Sequence, residues 1–192
     1  MAVFSGSGQF SGELRGSYSV GEASVLEIGD GCTSHSLRID IADSRVIIGR
    51  NCRLNCVEIY ARGSEIRIGD GTGFTWNAQL LSHEASRISI GGDCLIASNV
   101  IVSTSDMHSI VEADSGARIN PPQPIDIGDH VWLGQNVFVL KGVTIGSGSI
   151  VGAASMVTRD VPAKSLAAGS PVKVMRSNVT WRHDLIPCRP SN

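Results

Sequence analysis

Large aromatic side chains are scarce: four Phe, three Trp and two Tyr make up 5% of the 192 residues. A helical bundle packs its core with bulky side chains, so this shortage disfavours one, and 22 glycines disfavour it further. Long apolar runs are missing too. Stretches such as Val137 to Leu140 fall far short of the ~20 residues that cross a bilayer, so no membrane span is expected. Nor is there a surplus of positive charge. Sixteen Lys and Arg against 18 Asp and Glu give a formal charge of −2, and nucleic-acid binding, which calls for a basic domain, is not expected. The opening residues Met1 to Gly6 lack the basic head and apolar run of a secretory leader, which leads us to expect a cytoplasmic protein. With 42% hydrophobic residues the chain is not expected to be disordered. Its length fits a single domain over residues 1–192.

What the sequence has is a repeat. Ile-Gly recurs at Ile28, Ile48, Ile68, Ile90, Ile127 and Ile145, at spacings of 20, 20, 22, 37 and 18 residues. Two residues before each stands another aliphatic: Leu26, Val46, Ile66, Ile88, Ile125 and Val143. That is a short strand with both side chains on one face. The glycine reads as a residue that permits a tight corner. Inside this lies a period of six. From Ile127 an aliphatic returns at Leu133, Val139, Ile145, Val151 and Val157, and four residues after each comes a small or β-branched residue. Neither a helix nor a long alternating strand repeats at six. Three hexads make an 18-residue coil, so the chain is expected to wind a triangular prism of stacked parallel strands ~4.8 Å apart. Regular coils are expected over about 26–176, with an irregular N-terminal cap and a tail at 177–192. The longer N-terminal coils suggest corners that bulge.

Cys32, Cys52 and Cys94 all fall four residues after an Ile-Gly isoleucine, in one inward column of small residues, where free cysteine packs as a small hydrophobe. Cys52 and Cys56 have no second pair with which to complete a zinc site, and a disulfide framework does not suit such a chain.

Rules of this kind tend to break at functional sites. The hexad from Val102 should put a small or apolar residue at 106 and an aliphatic at 108, but supplies Asp106 and His108. The register then vanishes over about 109–124. His108 thus heads an irregular segment in a regular solenoid. Asp106 is placed to orient it, because residues i and i+2 on a strand share a face. Trp132 lies between two inward residues and should point outward, where an indole usually meets a ligand or partner. Trp76 also lies outside the inward positions, and Trp181 is placed to anchor the tail.

Ile127-Gly-Asp-His-Val-Trp-Leu-Gly134, Val143-Thr-Ile-Gly146, Val151-Gly-Ala-Ala-Ser155 and Ala168-Gly-Ser-Pro-Val-Lys-Val-Met-Arg176 resemble the hexapeptide-repeat acyltransferases. Within them the chain resembles the sugar O-acetyltransferases, of the galactoside and maltose type and of the bacterial capsule and sialic acid type. Ser105 to Ile110 with Arg118-Ile119-Asn120 look most like the capsule and sialic acid branch. The resemblance implies an all-β, left-handed parallel β-helix, a homotrimer with active sites between subunits, acetyl-CoA as donor, and a sugar or polysaccharide acceptor. It implies His108 as general base and Trp132 as a catalytic-pocket residue. Gln135, Ala153, Thr158, Arg159, Lys173 and Arg176 would meet the coenzyme, with Asn77, Glu84 and Asp106 on the acceptor side. Glu84 stands beside Ala85, where the family's carboxylate is expected. No metal is implied.

Three rivals remain open at this stage. The same fold and base serve N-acetylation of a nucleotide-linked amino sugar. A metalloenzyme of the γ-carbonic anhydrase type needs three His ligands, whereas His35, His83, His108, His130 and His183 are isolated in sequence. The third is a non-enzymatic scaffold.

Overall fold

The structure, a computed structural model, describes residues 2–188. Among them there is no helix, hence none long and apolar enough to cross a membrane. The chain winds a three-sided parallel β-helix, the arrangement expected of the left-handed hexapeptide class. The first sheet stacks the Ile-Gly strands, from Val25–Ile28 through Arg45–Ile48, Glu65–Ile68, Arg87–Ile90 and Ile125–Ile127 to Thr144–Ile145. The second runs from Arg53–Leu54 through Trp132–Leu133 to Ser165–Ala168, and the third from Gly16–Val20 through Ile101–Ser103 to Met156–Val157.

The hexad explains the core. Ile127, Leu133, Val139, Ile145, Val151 and Val157 are all buried, as are Val131, Val137, Val143, Ser149, Ser155 and Val161 four residues on. Cys32, Cys52 and Cys94 are buried free thiols in the small-residue column. The column is small because each heteroatom also meets the next coil: Cys52 N–H donates to Cys32 Sγ, Cys94 N–H to Thr72 Oγ1, and Val131 N–H to Cys94 Sγ. Burial pushes the Cys94 thiol up to about 11.

Four expectations need correction. The glycine after each isoleucine is not there for a left-handed backbone; none of the six has positive φ. It is there because the next coil passes too close: a Cβ on Gly91 would lie 2.6 Å from Asp129 N, and one on Gly128 2.7 Å from Ser147 N. The additional residues of the early coils do not bulge at corners but lengthen strands of the third sheet, which reach seven residues in Ser36–Ala42 and Cys56–Arg62. Parallel pairing already begins at Gly16–Val20 and ends with Ser165–Ala168; Lys173–Ser177, expected within the last coil, turns back antiparallel. The N-terminal cap has no hexad yet is ordered, as Ala2–Phe4 and Gly6–Gln9 pair antiparallel to the strands they cover. Phe4, Phe10 and Tyr18 close that end, with ring centroids 5.0–5.2 Å apart.

Candidate active site

His108 lies where the third sheet hands over to the first. The strand Ile101–Ser103 ends, and the chain leaves the prism until Ile125–Ile127. The segment is more ordered than its sequence suggests. Val111 bridges antiparallel to Arg118, and Ile119 N–H donates to Ile110 O at 2.8 Å, which makes a small hairpin. Its base is pinned from the preceding coil. Ser105 Oγ donates to Glu84 Oε1 at 2.7 Å and accepts Met107 N–H at 3.0 Å, while Met107 reverses the chain at φ 60°. Arg118 grips both oxygens of Glu84. Asn120, buried, donates from Nδ2 to Asp106 Oδ2 and to the main-chain oxygen of His108, each at 2.8 Å, and its Oδ1 accepts Ile110 N–H at 2.7 Å. The His108 ring itself is exposed and has no hydrogen-bond partner among the described residues.

Two expectations change here. Residues 106–108 form no strand, and Asp106 does not hold the imidazole. Its carboxylate is taken by Lys141 and Asn120 and reaches His108 only through Asn120 and the main chain. The Lys141 ammonium, then the Asn120 amide, keep Asp106 below the usual carboxylate range. Glu84, expected on the acceptor side, is occupied as a brace. Arg118, then Ser105, hold it ionised down to about 2. Sequence reasoning did not find Lys141 or Asn120 as supports of this loop; the Arg118-Ile-Asn120 segment was the available signal.

The other residues divide between two prism edges. Trp132 points outward from the second sheet, 38% exposed. Gln135 and Ala153 follow at the edge between second and third sheets, both exposed and one coil apart, where Ala154 N–H bonds Gln135 O at 2.8 Å. Asn77 lies on this edge two coils lower, with φ 52°. Thr158 and Arg159 belong instead to the edge that carries His108, one coil beyond Lys141. Arg159 and Lys173 line one cavity of about 260 Å³. Arg176 lies further along the returning strand, and none of Arg159, Lys173 and Arg176 has a carboxylate partner among the described residues. Unpaired cations of this kind suit a polyphosphate. Within the chain, then, the residues fall into two separate groups: His108 with its braced loop, and Trp132 with Gln135 and Ala153.

The tail docks beside Trp132. Trp181 is 6% exposed, stacks on His130 at 4.3 Å and 5°, and donates from Nε1 to His130 O at 2.7 Å. Its ring lies 6.2 Å from that of Trp132. His130 Nε2 faces Trp181 O at 3.0 Å and Nδ1 faces Asp93 Oδ2 at 2.7 Å. No three His, Cys, Asp or Glu residues among those described gather into a group able to hold a metal.

Comparison with known proteins agrees with this reading of the fold. The bacterial transferase hexapeptide (six repeats) family matches residues 124–159. The chain is 38% identical over 136 residues, 71% of its length and 44% of the relative's, to a polysialic acid O-acetyltransferase of Escherichia coli O1:K1 / APEC. The crystal structure of the polySia specific acetyltransferase NeuO superposes with a TM-score of 0.73 at 29% identity, covering 87% of this chain and 89% of that one. A hexapeptide-repeat-containing acetyltransferase from Vibrio cholerae O1 biovar eltor, complexed with acetyl coenzyme A, superposes with a TM-score of 0.50 at 37% identity, over 58% and 60%. The chain carries the hexapeptide repeat and is similar to acetyltransferases built on it. It is most usefully compared with sugar O-acetyltransferases, and it spans about half the length of the curated relatives it matches.

Proposed function

We propose that this protein transfers an acetyl group from acetyl-CoA to a hydroxyl of a sugar, in a capsular or surface polysaccharide of the sialic acid class. The observation that carries this is the imidazole of His108: exposed, unpartnered, and presented by a loop whose every turn is braced. A side chain free of partners on a rigid mount is what a general base requires, since it must reach a substrate proton without first breaking a bond of its own.

The residues also fit the donor. Gln135 and Ala153 offer an open edge for its pantetheine arm, while Thr158 stands on the edge that carries His108, and Arg159, Lys173 and Arg176 supply unpaired cations for its phosphates. The coenzyme supplies the activated acyl carbon. His108 takes the proton from the acceptor hydroxyl as its oxygen attacks that carbon, and passes it to the sulfur as the carbon–sulfur bond breaks, so that the coenzyme leaves as the free thiol. Trp132 walls the pocket. Because His108 and Trp132 lie on different sides of one prism, a homotrimer in which the two groups meet across a subunit boundary completes the site. Polysialic acid is the acceptor named for a relative matched over 71% of this chain and 44% of its own length, and it supports this acceptor class.

The test is release of free thiol from acetyl-CoA in the presence of sialic acid polymer, with product NMR to separate an ester from an amide. His108→Ala is expected to lose about 10²–10⁴-fold in turnover with assembly unchanged. Unchanged turnover removes His108 from the mechanism, and an amide product replaces the O-acetyl reading with its N-acetyl rival.

A further inference from the structure

The C-terminal tail descends the prism at nearly one residue per coil. Beyond the strand Lys173–Ser177, Asn178 reverses the chain at φ 58°, and the tail runs back along the edge between the first and second sheets. Val179 N–H bonds Lys164 O at 2.9 Å, Thr180 Oγ1 lies against Gly148, Trp181 stacks on His130, and His183 reaches Asp93 at 3.4 Å. Those four partners stand on successive coils, since His130 N–H bonds Gly92 O, Gly148 N–H bonds Asp129 O and Lys164 N–H bonds Ser147 O. The tail thus comes down from the last coil to the level at which Trp132 leaves the second sheet.

At that level the Trp132 indole has neighbours on three sides. Along the stack its paired residues are Leu95 and Ile150, half-buried aliphatics whose side chains leave the sheet on the same face. Toward the first sheet stands the Trp181 ring, centroids 6.2 Å apart and planes inclined at 54°, within the range of aromatic pairs. The fourth side looks along the chain to Gln135, which is exposed. Trp181 is itself held more firmly than a mere anchor needs. Its face stacks on His130, the His183 ring meets it edge-on at 4.6 Å, and its Nε1 donates to His130 O, a carbonyl two residues before Trp132. Burial alone would fasten a tail; the stack and the hydrogen bond also fix how the indole is turned.

We infer that Trp181 is a positioning residue for the acetyl-transfer site: it closes the third side of Trp132 and holds that indole in the orientation that faces the donor's pantetheine arm beside Gln135. The inference rests on the reading of Trp132 as a wall of the donor pocket. A tryptophan with two aliphatic neighbours and an empty third side has more than one rotamer open to it, and a wall that must be ordered at each encounter weakens binding. Loss of Trp181 therefore acts on the donor's affinity and leaves the chemistry at His108 as it was.

Two measurements on the full-length protein test this. The first needs no substrate: the NMR order parameter of the Trp132 indole N–H, a signal assigned by its absence in Trp132→Phe. On a scale where about 0.85 is rigid, it is expected to fall below about 0.6 in Trp181→Ala and to stay near the wild-type value in Trp181→Phe, which keeps a ring on His130. The second is thiol release. Trp181→Ala is expected to raise the KM for acetyl-CoA about five- to tenfold, the scale of one aromatic contact, with kcat within about twofold. Trp132→Ala combined with Trp181→Ala is expected to show no higher KM than Trp132→Ala alone, because one residue acts through the other. The inference is overturned by a Trp132 indole that stays rigid in Trp181→Ala, or by a double variant whose KM effects multiply. It is also overturned by a KM that holds in Trp181→Ala; a kcat that falls alone marks a tail needed only for folding. A Trp132→Ala variant with unchanged KM overturns the wall reading instead, and the order parameter then decides by itself whether Trp181 holds the ring.

Discussion

Asn120 places four atoms of the mobile-looking segment with one side chain: Asp106 Oδ2, His108 O, Ile110 N and Arg118 Nε. Asn120→Ala strands the Ile110 amide and the His108 carbonyl, a cost of about 1–3 kcal/mol for groups left unsatisfied. Thiol release is expected to fall at least about tenfold, which corresponds to ~1.4 kcal/mol in the barrier. Amide exchange at Ile110 is expected to accelerate while the core strands keep their protection. An unchanged Ile110 exchange rate would show that the hairpin holds itself. His108 was legible in the sequence because an imidazole stands where the hexad demands an aliphatic. Its supports were not. Glu84, Ser105, Arg118, Asn120 and Lys141 are scattered over three coils, and only stacking makes them neighbours. For the same reason Asp106, two residues from His108, looked like its partner but turns to Lys141 instead.

The tail is an element whose attachment carries a charge. Both ring nitrogens of His130 face acceptors, the Asp93 carboxylate and the Trp181 carbonyl. A neutral imidazole has one N–H and satisfies one of them, whereas the cation satisfies both. Burial opposes that charge, but the Trp181 carbonyl and Asp93 together raise the His130 pKa above its ordinary value. His183 also faces Asp93, at 3.4 Å, and Lys164 lines the cavity beside His130. The sign follows from linkage. A group whose pKa is higher folded than unfolded contributes its full stabilisation below the unfolded value, about 6.5, and loses it as pH rises through the higher folded one. The tail is therefore expected to loosen above neutral pH, seen as faster amide exchange over 178–186 after correction for the intrinsic rate. His130→Gln is expected to remove that dependence. A tail equally protected at pH 6 and pH 9 would refute the ionic clasp. Trp181 as an anchor was legible, standing alone beyond the last hexad. Its partner was not, because His130 reads as an outward corner residue and its role depends on a tail 51 residues away.

For the whole molecule the period of six was enough to give the prism, its inward columns and its three sheets, because every coil is a separate copy of the same packing problem. What the period does not encode is the distance between coils, and that is why the glycines read as residues for a tight corner rather than for close approach. Gly128→Ala is expected to destabilise the protein by about 1–3 kcal/mol through overpacking against Ser147. Thermal unfolding is then expected several degrees lower, at roughly 2–4 °C per kcal/mol for a chain of this size. An unshifted midpoint would mean the coils can spread apart at no cost. The two ends were equally hidden, since Gly/Ser-rich residues at one and a basic strand at the other share no pattern with what they cover. Their reversed direction has a consequence for solubility in crowded surroundings. A prism of parallel rungs offers at each face a ready template on which another prism could continue, and unprotected rungs would invite growth into fibres. Ala2–Phe4 and Gly6–Gln9 cover the first rungs of two sheets and Lys173–Ser177 the last rung of the other, all against the grain, so a second molecule arriving at those edges meets the wrong polarity.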